Sequence, residues 1–233
     1  MKGIVLAGGT GSRLMPLTKI QNKHLLNVYN KRLIEYPVNT LLQAGLKEIL
    51  IVTGSEWAGD FMKLLGSGED YGCRFYYTIQ DRAGGIAEAL GLANEFIGND
   101  NMIVILGDNI TDAKINIEDF ENGARVYLKW TKDPQRFGVP KIVDNKIVKI
   151  LEKPKNPPSE FAVTGIYMYD NSVFDIIKTL KPSGRGELEI TDLNNVYIKK
   201  GQLDYKILKG VWFDAGTIDA LHEAGNIVKQ INL

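Results

Sequence analysis

The sequence predicts an α/β fold: a Rossmann-like, mixed but mostly parallel sheet flanked by helices, followed by a hairpin-rich part. Three observations predict it. Through residue 106, short apolar runs alternate with stretches of helical periodicity, the βαβαβαβ order of parallel strands joined by right-handed crossovers. The runs KGIVLA and MIVIL are nearly all apolar, as strands buried on both faces are. Past residue 124 the spacing changes to close-set strands separated by turn residues, which reads as hairpins.

Taken in order, Lys2 to Ala7 is a strand with a β-branched centre, bounded at once by glycine. Helical periodicity follows from Arg32 to Ala44, stopped by Gly45, then a strand from Glu48 to Thr53 and a helix from Glu56 to Leu65. Arg74 to Ile79 is a strand, Ile86 to Phe96 a helix ended by Gly98, and Met102 to Leu106 a buried strand. In the second half, strands run from Arg125 to Trp130, Val139 to Val143, Lys146 to Glu152 across an Asp144-Asn145 turn, and Phe161 to Tyr169. Helices return at Ser172 to Leu180, Ile190 to Lys200 and Thr217 to Gln230. Lys153 to Pro158 resembles a linker but is short enough to be a rigid loop between paired strands. No internal repeat is visible, so the expectation is one domain over 1–233, with about 1–112 as its first part and about 113–233 as its second.

Composition excludes several classes. The 233 residues carry 28 Lys plus Arg against 28 Asp plus Glu, so no overall basic field recruits nucleic acid or an anionic membrane. One cysteine, Cys73, leaves no intramolecular disulfide and no Cys-based zinc site, and two histidines, His24 and His222, are too few for a histidine-rich centre. The longest apolar runs are too short to span a bilayer, and the N-terminus lacks the long apolar stretch of a signal peptide. A soluble cytoplasmic protein with a reduced thiol is expected.

The loop after the first strand, LAGGTGSRLMPLTKIQNKHLL, carries the first chemical signal. It is not a P-loop, because Gly11 is followed by Ser12-Arg13-Leu14 rather than Lys-Ser/Thr, and it is not a dinucleotide fingerprint, because Leu14 stands where the third glycine belongs. What remains is G-G-x-G-x-R. Glycines let backbone N–H groups approach an anion, Ser12 adds a hydroxyl donor, Arg13 a planar fork for two phosphate oxygens, and Lys19 and Lys23 mobile positive charges. A polyphosphate site and a glycine-rich turn with ordinary surface cations both fit this loop alone. Asp108 follows MIVILG at the mouth of a strand, where a cation bridging phosphates needs one or two carboxylates and water, yet Gly-Asp-Asn is also a common turn. Asp214 in VWFDAGT and Lys153 in ILEKPK carry the same ambiguity.

Read together, LAGGTGSRLMPLT, NKHLL, QDRAGGIAEAL, LGDN, RFGV, LEKPK, AVTGIY, GRGELEITDLN and WFDAGT, in that order, resemble the glucose-1-phosphate thymidylyltransferases over essentially the whole chain. The resemblance implies the nucleotide-diphospho-sugar transferase fold, with the first part binding nucleotide and the hairpin-rich part binding sugar phosphate. It implies a nucleoside triphosphate wrapped by Leu6, Ala7, Gly8, Gly9, Thr10, Gly11, Ser12 and Arg13, with Arg13 on the leaving pyrophosphate and Lys23 near the phosphates. Gln80 and the backbone around Gly85 correspond to the base-recognition segment, and Asp108 and Asp214 to the ligands of Mg²⁺. Gly138, Glu152, Lys153, Val163 and Arg185 fall on the sugar-phosphate side, with Lys153 meeting the phosphate and Glu152 the sugar hydroxyls. The implied reaction joins dTTP and α-D-glucose 1-phosphate into dTDP-glucose and pyrophosphate, the first step toward dTDP-linked deoxysugars, by direct in-line attack on the α-phosphorus without a protein nucleophile. The family further suggests a homotetramer, while the charge balance and short apolar runs already argue against a nucleic-acid or membrane partner.

Departures from the family pattern are local. Asn27 replaces a proline, Phe137 a tyrosine before Gly138, and Ile110-Thr111-Asp112 lacks the usual aromatic after Gly-Asp-Asn. These bear on sugar specificity and leave the phosphate and metal positions intact. The chain stops at Leu233, short of the C-terminal helical segment with which longer members build a regulatory nucleotide site. Three other readings compete: a uridylyltransferase or other sugar-1-phosphate nucleotidylyltransferase, a non-catalytic nucleotide-sugar binding protein, and a nicotinamide-dependent oxidoreductase. The last of these lacks its third glycine.

Overall fold

The computed structural model describes residues 1–231 and 233. The first half runs β1 (Lys2–Ala7), β2 (Asn27–Val28), β3 (Lys31–Arg32), α1 (Glu35–Gln43), β4 (Glu48–Gly54), α2 (Ala58–Leu65) and β5 (Arg74–Gln80). It continues with α3 (Ile86–Gly91), α4 (Asn94–Ile97), β6 (Met102–Leu106) and β7 (Asn109–Thr111). Then come β8 (Ala124–Trp130), β9 (Gly138–Val143), β10 (Lys146–Glu152), β11 (Phe161–Tyr169), α5 (Val173–Thr179) and α6 (Ile190–Lys199). The chain closes with β12 (Leu203–Ile207), β13 (Trp212–Asp214) and α7 (Ile218–Ile231). Among the described residues no helix is long and apolar enough to cross a membrane.

These elements group into two compact units. One, the glycine-loop unit, comprises Lys2–Ala83, Ile105–Ile117 and Gly210–Leu233; the other, the hairpin unit, comprises Met1, Gly84–Val104 and Glu118–Lys209. Strand β6 belongs to both, since its first three residues fall in the hairpin unit and its last two in the glycine-loop unit.

In the glycine-loop unit the strand order is β6-β1-β4-β5. β1 pairs parallel to β4 from Gly3↔Ile49 to Ala7↔Thr53, and β4 parallel to β5 from Glu48↔Arg74 to Gly54↔Gln80. Ile4, Val5, Ala7, Ile49, Ile51 and Val52 are fully buried, which is why these strands read as unbroken apolar runs rather than as alternating ones. The register brings Ala7, Gly54 and Gln80 to the same end of the sheet, and so fixes where the glycine loop begins. Helix α1 starts at Glu35, later than the sequence pattern suggests. Arg32 is taken by the β2–β3 hairpin opposite Asn27, its guanidinium donates to the Leu25 carbonyl at 2.9 Å, and its backbone N–H donates to Glu35 Oε2 at 2.7 Å, a carboxylate reaching back to cap the helix. In α2, Ala58, Phe61 and Leu65 are buried at helical spacing, and Gly66, at φ +61°, ends it. Burial of the Phe61 ring contributes about 1.5–3 kcal/mol.

In the hairpin unit the order is β12-β8-β11-β6, with β12 parallel and β11 antiparallel to β8. β9 and β10 form a separate antiparallel ribbon whose turn residues, Asp144 and Asn145, both adopt positive φ, as a tight two-residue hairpin requires. The helical stretch from Ile86 to Phe96 divides at Gly91 into α3 and α4, where glycine offers least support to a continuous helix.

Candidate active site

The glycine-loop unit gathers most of the residues that the sequence marks for phosphate. Gly11 sits at φ +68°, and a Cβ there would lie 2.9 Å from Thr18 Cγ2 and 3.0 Å from Lys23 Cβ. Thr18 Oγ1 donates to the Gly11 carbonyl at 2.9 Å and locks the turn. A Cβ on Gly9 would come within 3.3 Å of Lys23 Cε, and one on Gly8 within 2.5 Å of Gln80 Oε1. The spaces beside Gly8 and Gly9 are therefore filled by the Gln80 and Lys23 side chains.

Lys23 crosses this loop to Asp108. Its Nζ lies 2.6 Å from Asp108 Oδ2, and Asn109 Nδ2 donates to Asp108 Oδ1 at 3.0 Å. Burial alone would raise the Asp108 carboxyl; the Lys23 ammonium, together with His24 and the hydrogen bonds from Lys23 and Asn109, overcomes it and holds the group well below the usual carboxylate range. Asp108 itself is fixed between strands: Gly107 N–H donates to the Leu6 carbonyl at 2.9 Å, and the Asp108 carbonyl accepts from Ala215 N–H at 2.9 Å.

That last bond brings in Asp214. β13 pairs antiparallel to β7 with Asp214 opposite Asn109, and Trp212 Nε1 donates to Asn109 Oδ1 at 2.7 Å. Behind the pair, Ala224 and Val228 of α7 pack with Val28, Tyr36, Ile110 and Ala215 in one buried cluster. The Asp214 carboxylate and the Arg13 guanidinium both flank the Cα of Gly216, where an added Cβ would be 3.0 Å from Arg13 Nη2 and 3.3 Å from Asp214 Oδ1. Arg13, Lys23, Gln80, Asp108 and Asp214, distant in sequence, thus converge with the glycine loop inside this unit.

These residues fit a divalent cation. Among the described residues no cluster of three or more His, Cys, Asp or Glu side chains offers a protein-only cage. Two hard carboxylates, Asp214 at the end of β13 and Asp108 just ahead of its partner strand β7, suit an ion that completes its shell with phosphate oxygens and water; because Lys23 and Asn109 already hold the Asp108 oxygens, such an ion takes this carboxylate by displacing Lys23.

His24, beside Lys23, is buried and structural. Asn22 Oδ1 accepts from both its backbone N–H, at 2.9 Å, and its ring Nδ1, at 2.8 Å. Burial, then the Lys23 charge, pushes the imidazole down to about 3, against the opposing pull of Asp108 and the Ala7 carbonyl. The unfolded chain takes up this proton below its ordinary value of 6.5 while the native state refuses it until about 3. Native stability is therefore complete above that ordinary value and is lost as pH falls through the window between the two, at up to about 1.4 kcal/mol per pH unit. Denaturant titrations from pH 7 to 4 should show this loss, and His24→Asn should flatten it; an equal slope in the variant would place the effect elsewhere.

The hairpin unit holds the other candidates. Glu152, last residue of β10, lies opposite Gly138 of β9, and Thr191 Oγ1 donates to Glu152 Oε2 at 2.6 Å. A Cβ on Gly138 would stand 3.4 Å from Thr191 Oγ1 and 3.7 Å from Glu152 Oε2, so glycine keeps this carboxylate open on one side. Lys153 follows at φ +43°, unusual for a residue with a side chain; its N–H donates to the Phe137 carbonyl at 2.9 Å, and its Nζ lies 3.5 Å from Glu152 Oε1. Val163 is buried in β11 beside a register shift. Arg185 is engaged by acids: its Nη2 lies 2.9 Å and 3.0 Å from the two Glu189 oxygens and 3.6 Å from Glu187. Gly85, at φ +102°, is in this unit, where a Cβ would strike the Leu188 carbonyl at 2.5 Å; Gln80 is in the other.

Residues 2–231 match the family described as nucleotidyl transferase. The chain belongs to that family. Among curated relatives, the glucose-1-phosphate thymidylyltransferase of Neisseria meningitidis serogroup A is 45% identical over 240 residues, 99% of this chain and 83% of the relative. That of Mycolicibacterium smegmatis is 43% identical, covering 100% of this chain and 84% of the relative. A crystal structure from Bacillus anthracis, provisionally named a glucose-1-phosphate thymidylyltransferase and solved with sucrose, superposes at a TM-score of 0.96 with 53% identity, over 100% of this chain and 97% of that one. UDP-glucose pyrophosphorylase complexed with UDP-glucose superposes at 0.83 with 25% identity, over 99% and 98% of the two chains. This transferase therefore has the mostly parallel sheet, flanked by helices and extended by hairpins, of its family's structures. Its sequence pattern does not single out Thr18, Asn109, Thr191 or Trp212, which orient the candidate residues. The signal for them is membership of motifs quoted for other residues: Thr18 ends LAGGTGSRLMPLT, Asn109 ends LGDN, Thr191 lies in GRGELEITDLN and Trp212 opens WFDAGT.

Proposed function

We propose that this nucleotidyl transferase moves the deoxythymidylyl group of dTTP onto α-D-glucose 1-phosphate, giving dTDP-glucose and pyrophosphate. The observation that carries the reading is Lys23 lying across the glycine loop onto Asp108, which unites a phosphate-binding loop, a mobile cation and a metal-type carboxylate in one constellation. The relatives' shared name supplies the substrates.

In this reading the backbone from Leu6 to Ser12 cradles the triphosphate, and Arg13 and Lys23 take the charge that moves onto pyrophosphate. Gln80 and the Gly85 segment read the base. Asp108 and Asp214 would hold Mg²⁺, which supplies Lewis-acid polarisation of the phosphates when bound. Gly138, Glu152 and Val163 hold the sugar, while Lys153 and Arg185 hold its phosphate. A sugar-phosphate oxygen forms a bond to the α-phosphorus, the bond from that phosphorus to the β-phosphate oxygen breaks, and pyrophosphate leaves with the electron pair. Because Arg185 is already paired with Glu189, it contributes to phosphate binding only by exchanging that partner, which leaves Lys153 the principal contact. By the same reading the chain is one transferase domain that works in the cytoplasm as a homo-oligomer.

Pyrophosphate release from a matrix of nucleotides and sugar 1-phosphates tests the proposal. Thymine presents an N3–H donor between two carbonyl acceptors, and the Gln80 amide, with its Oε1 held on the Gly8 side, pairs with one donor and one acceptor side by side; cytosine presents the opposite order and would need the amide flipped. Uracil shares the thymine edge, and the likeness to UDP-glucose pyrophosphorylase keeps UTP in view. The expected order is dTTP first, UTP second and CTP rejected; a preference for CTP or GTP, or no release with glucose 1-phosphate, overturns the reading.

A further inference from the structure

Strand β10 carries Glu152 and leads into Lys153, yet it belongs to a two-stranded ribbon, and among the described residues β9 is the one strand hydrogen-bonded to it. Its partner opposite Ile150 is Pro140, which has no N–H to give, and the Pro140 carbonyl is already taken by Ser159 Oγ at 2.8 Å. Ile150 and Pro140 form a non-hydrogen-bonded pair of the antiparallel ladder, a position that tolerates proline, so the Ile150 backbone has both its polar groups turned away from β9. They are met by one side chain of α6: Asn195 Oδ1 accepts from Ile150 N–H at 2.9 Å, and Asn195 Nδ2 donates to the Ile150 carbonyl at 2.9 Å. A side-chain amide with one donor and one acceptor imitates the missing strand.

One helical turn earlier on the same face, Thr191 grips the Glu152 carboxylate. Four residues of helix rise about 6 Å and two residues of strand about 6.7 Å, so the two contacts share a spacing and α6 holds β10 in register. The register shift between Ile147 and Lys149 makes this anchoring consequential, because the start of β10 is irregular and its functional end depends on what fixes it from Ile150 onward.

We propose that Asn195 is a positioning residue for the sugar-phosphate subsite: by pairing with the Ile150 backbone it sets where Glu152 and Lys153 stand. The inference rests on the reading that those two residues hold the sugar and its phosphate. No contact between Asn195 and substrate is involved, so its loss should appear in one substrate's KM and not in the other's.

Asn195→Leu keeps the helix and the volume and removes both hydrogen bonds. Displacing a binding group by a fraction of an ångström should raise the KM for glucose 1-phosphate on the order of tenfold, with that for dTTP within about twofold of wild type. Amide exchange across 150–153 should accelerate in the same protein. Asn195→Ser, able to make one of the two bonds, should fall between. Equal KM changes for both substrates, or none in a folded Asn195→Leu, overturn the proposal whatever happens to Tm. Should Asn195→Leu fail to fold, a wild-type KM for glucose 1-phosphate in Asn195→Ser overturns it equally. Failure of the wild-type protein to use glucose 1-phosphate at all is a separate result, which removes the functional reading rather than the role of Asn195.

Discussion

Lys23→Ala is expected to lower turnover by about 10²- to 10³-fold at saturating concentrations of both substrates, the loss typical of one preorganised donor to developing charge. Two effects combine. The ammonium proposed to stabilise the departing pyrophosphate disappears, and Asp108 is left a buried carboxylate with Asn109 on its other oxygen. Removing one partner of a buried pair costs several kcal/mol because the remaining charge is uncompensated, so the variant should also be less stable. Lys23→Arg separates the effects: it restores a charge beside Asp108 and with it most of the stability, while its bulkier head, set against Gly9, leaves turnover depressed. Single-turnover pyrophosphate release beside thermal unfolding measures both. Turnover within about threefold of wild type in Lys23→Ala would remove Lys23 from the chemistry.

Asp108→Asn and Asp214→Asn should each reduce turnover by at least about 10²-fold and raise the Mg²⁺ concentration needed for half-maximal rate, since each replaces an anionic oxygen ligand by a neutral one. The fold should survive in both, the amide being isosteric and the backbone of each aspartate already tied, Asp108 to Ala215 and Asp214 into the β7–β13 pair, though Asp108→Asn, which leaves the Lys23 ammonium without its counter-charge, should lose stability as Lys23→Ala does. Loss in Asp108→Asn should be the greater, because Lys23 loses its partner as well. Rates measured across a Mg²⁺ titration decide the matter, and wild-type activity at limiting Mg²⁺ in either variant contradicts the assignment.

What was legible in the sequence follows from where the information lies. β1, β4, β6 and the hairpin strands announce themselves because burial on both faces, or a turn such as Asp144-Asn145, is written in consecutive residues. β7 and β13 do not, being three residues each and made strands only by pairing across the chain, Asn109 with Asp214. For that reason Asp108 and Asp214 each look like an ordinary turn residue when read singly; their common location is a tertiary fact. The glycine loop was legible because missing side chains are visible in any sequence, but that its spaces are filled by Lys23 and Gln80 was not. Arg185 illustrates the opposite error of emphasis: its charge is plain in GRGELEI, while the two acids that occupy it three-dimensionally are merely its neighbours in the text. Asn195 reads as an unremarkable polar position on a helix, and only the outward-facing backbone of Ile150 gives it work.

In the proposed reaction the two anionic substrates are met by different lysines, the triphosphate by Lys23 in the glycine-loop unit and the sugar phosphate by Lys153 in the hairpin unit. Steady-state kinetics of Lys153→Ala, with each substrate varied against saturating amounts of the other, test it most directly. The account predicts a KM for glucose 1-phosphate raised on the order of tenfold, about 1.4 kcal/mol of lost binding, and a KM for dTTP essentially unchanged. A raised KM for dTTP with that for glucose 1-phosphate spared would contradict it, and would mean that the two substrates have been placed the wrong way round.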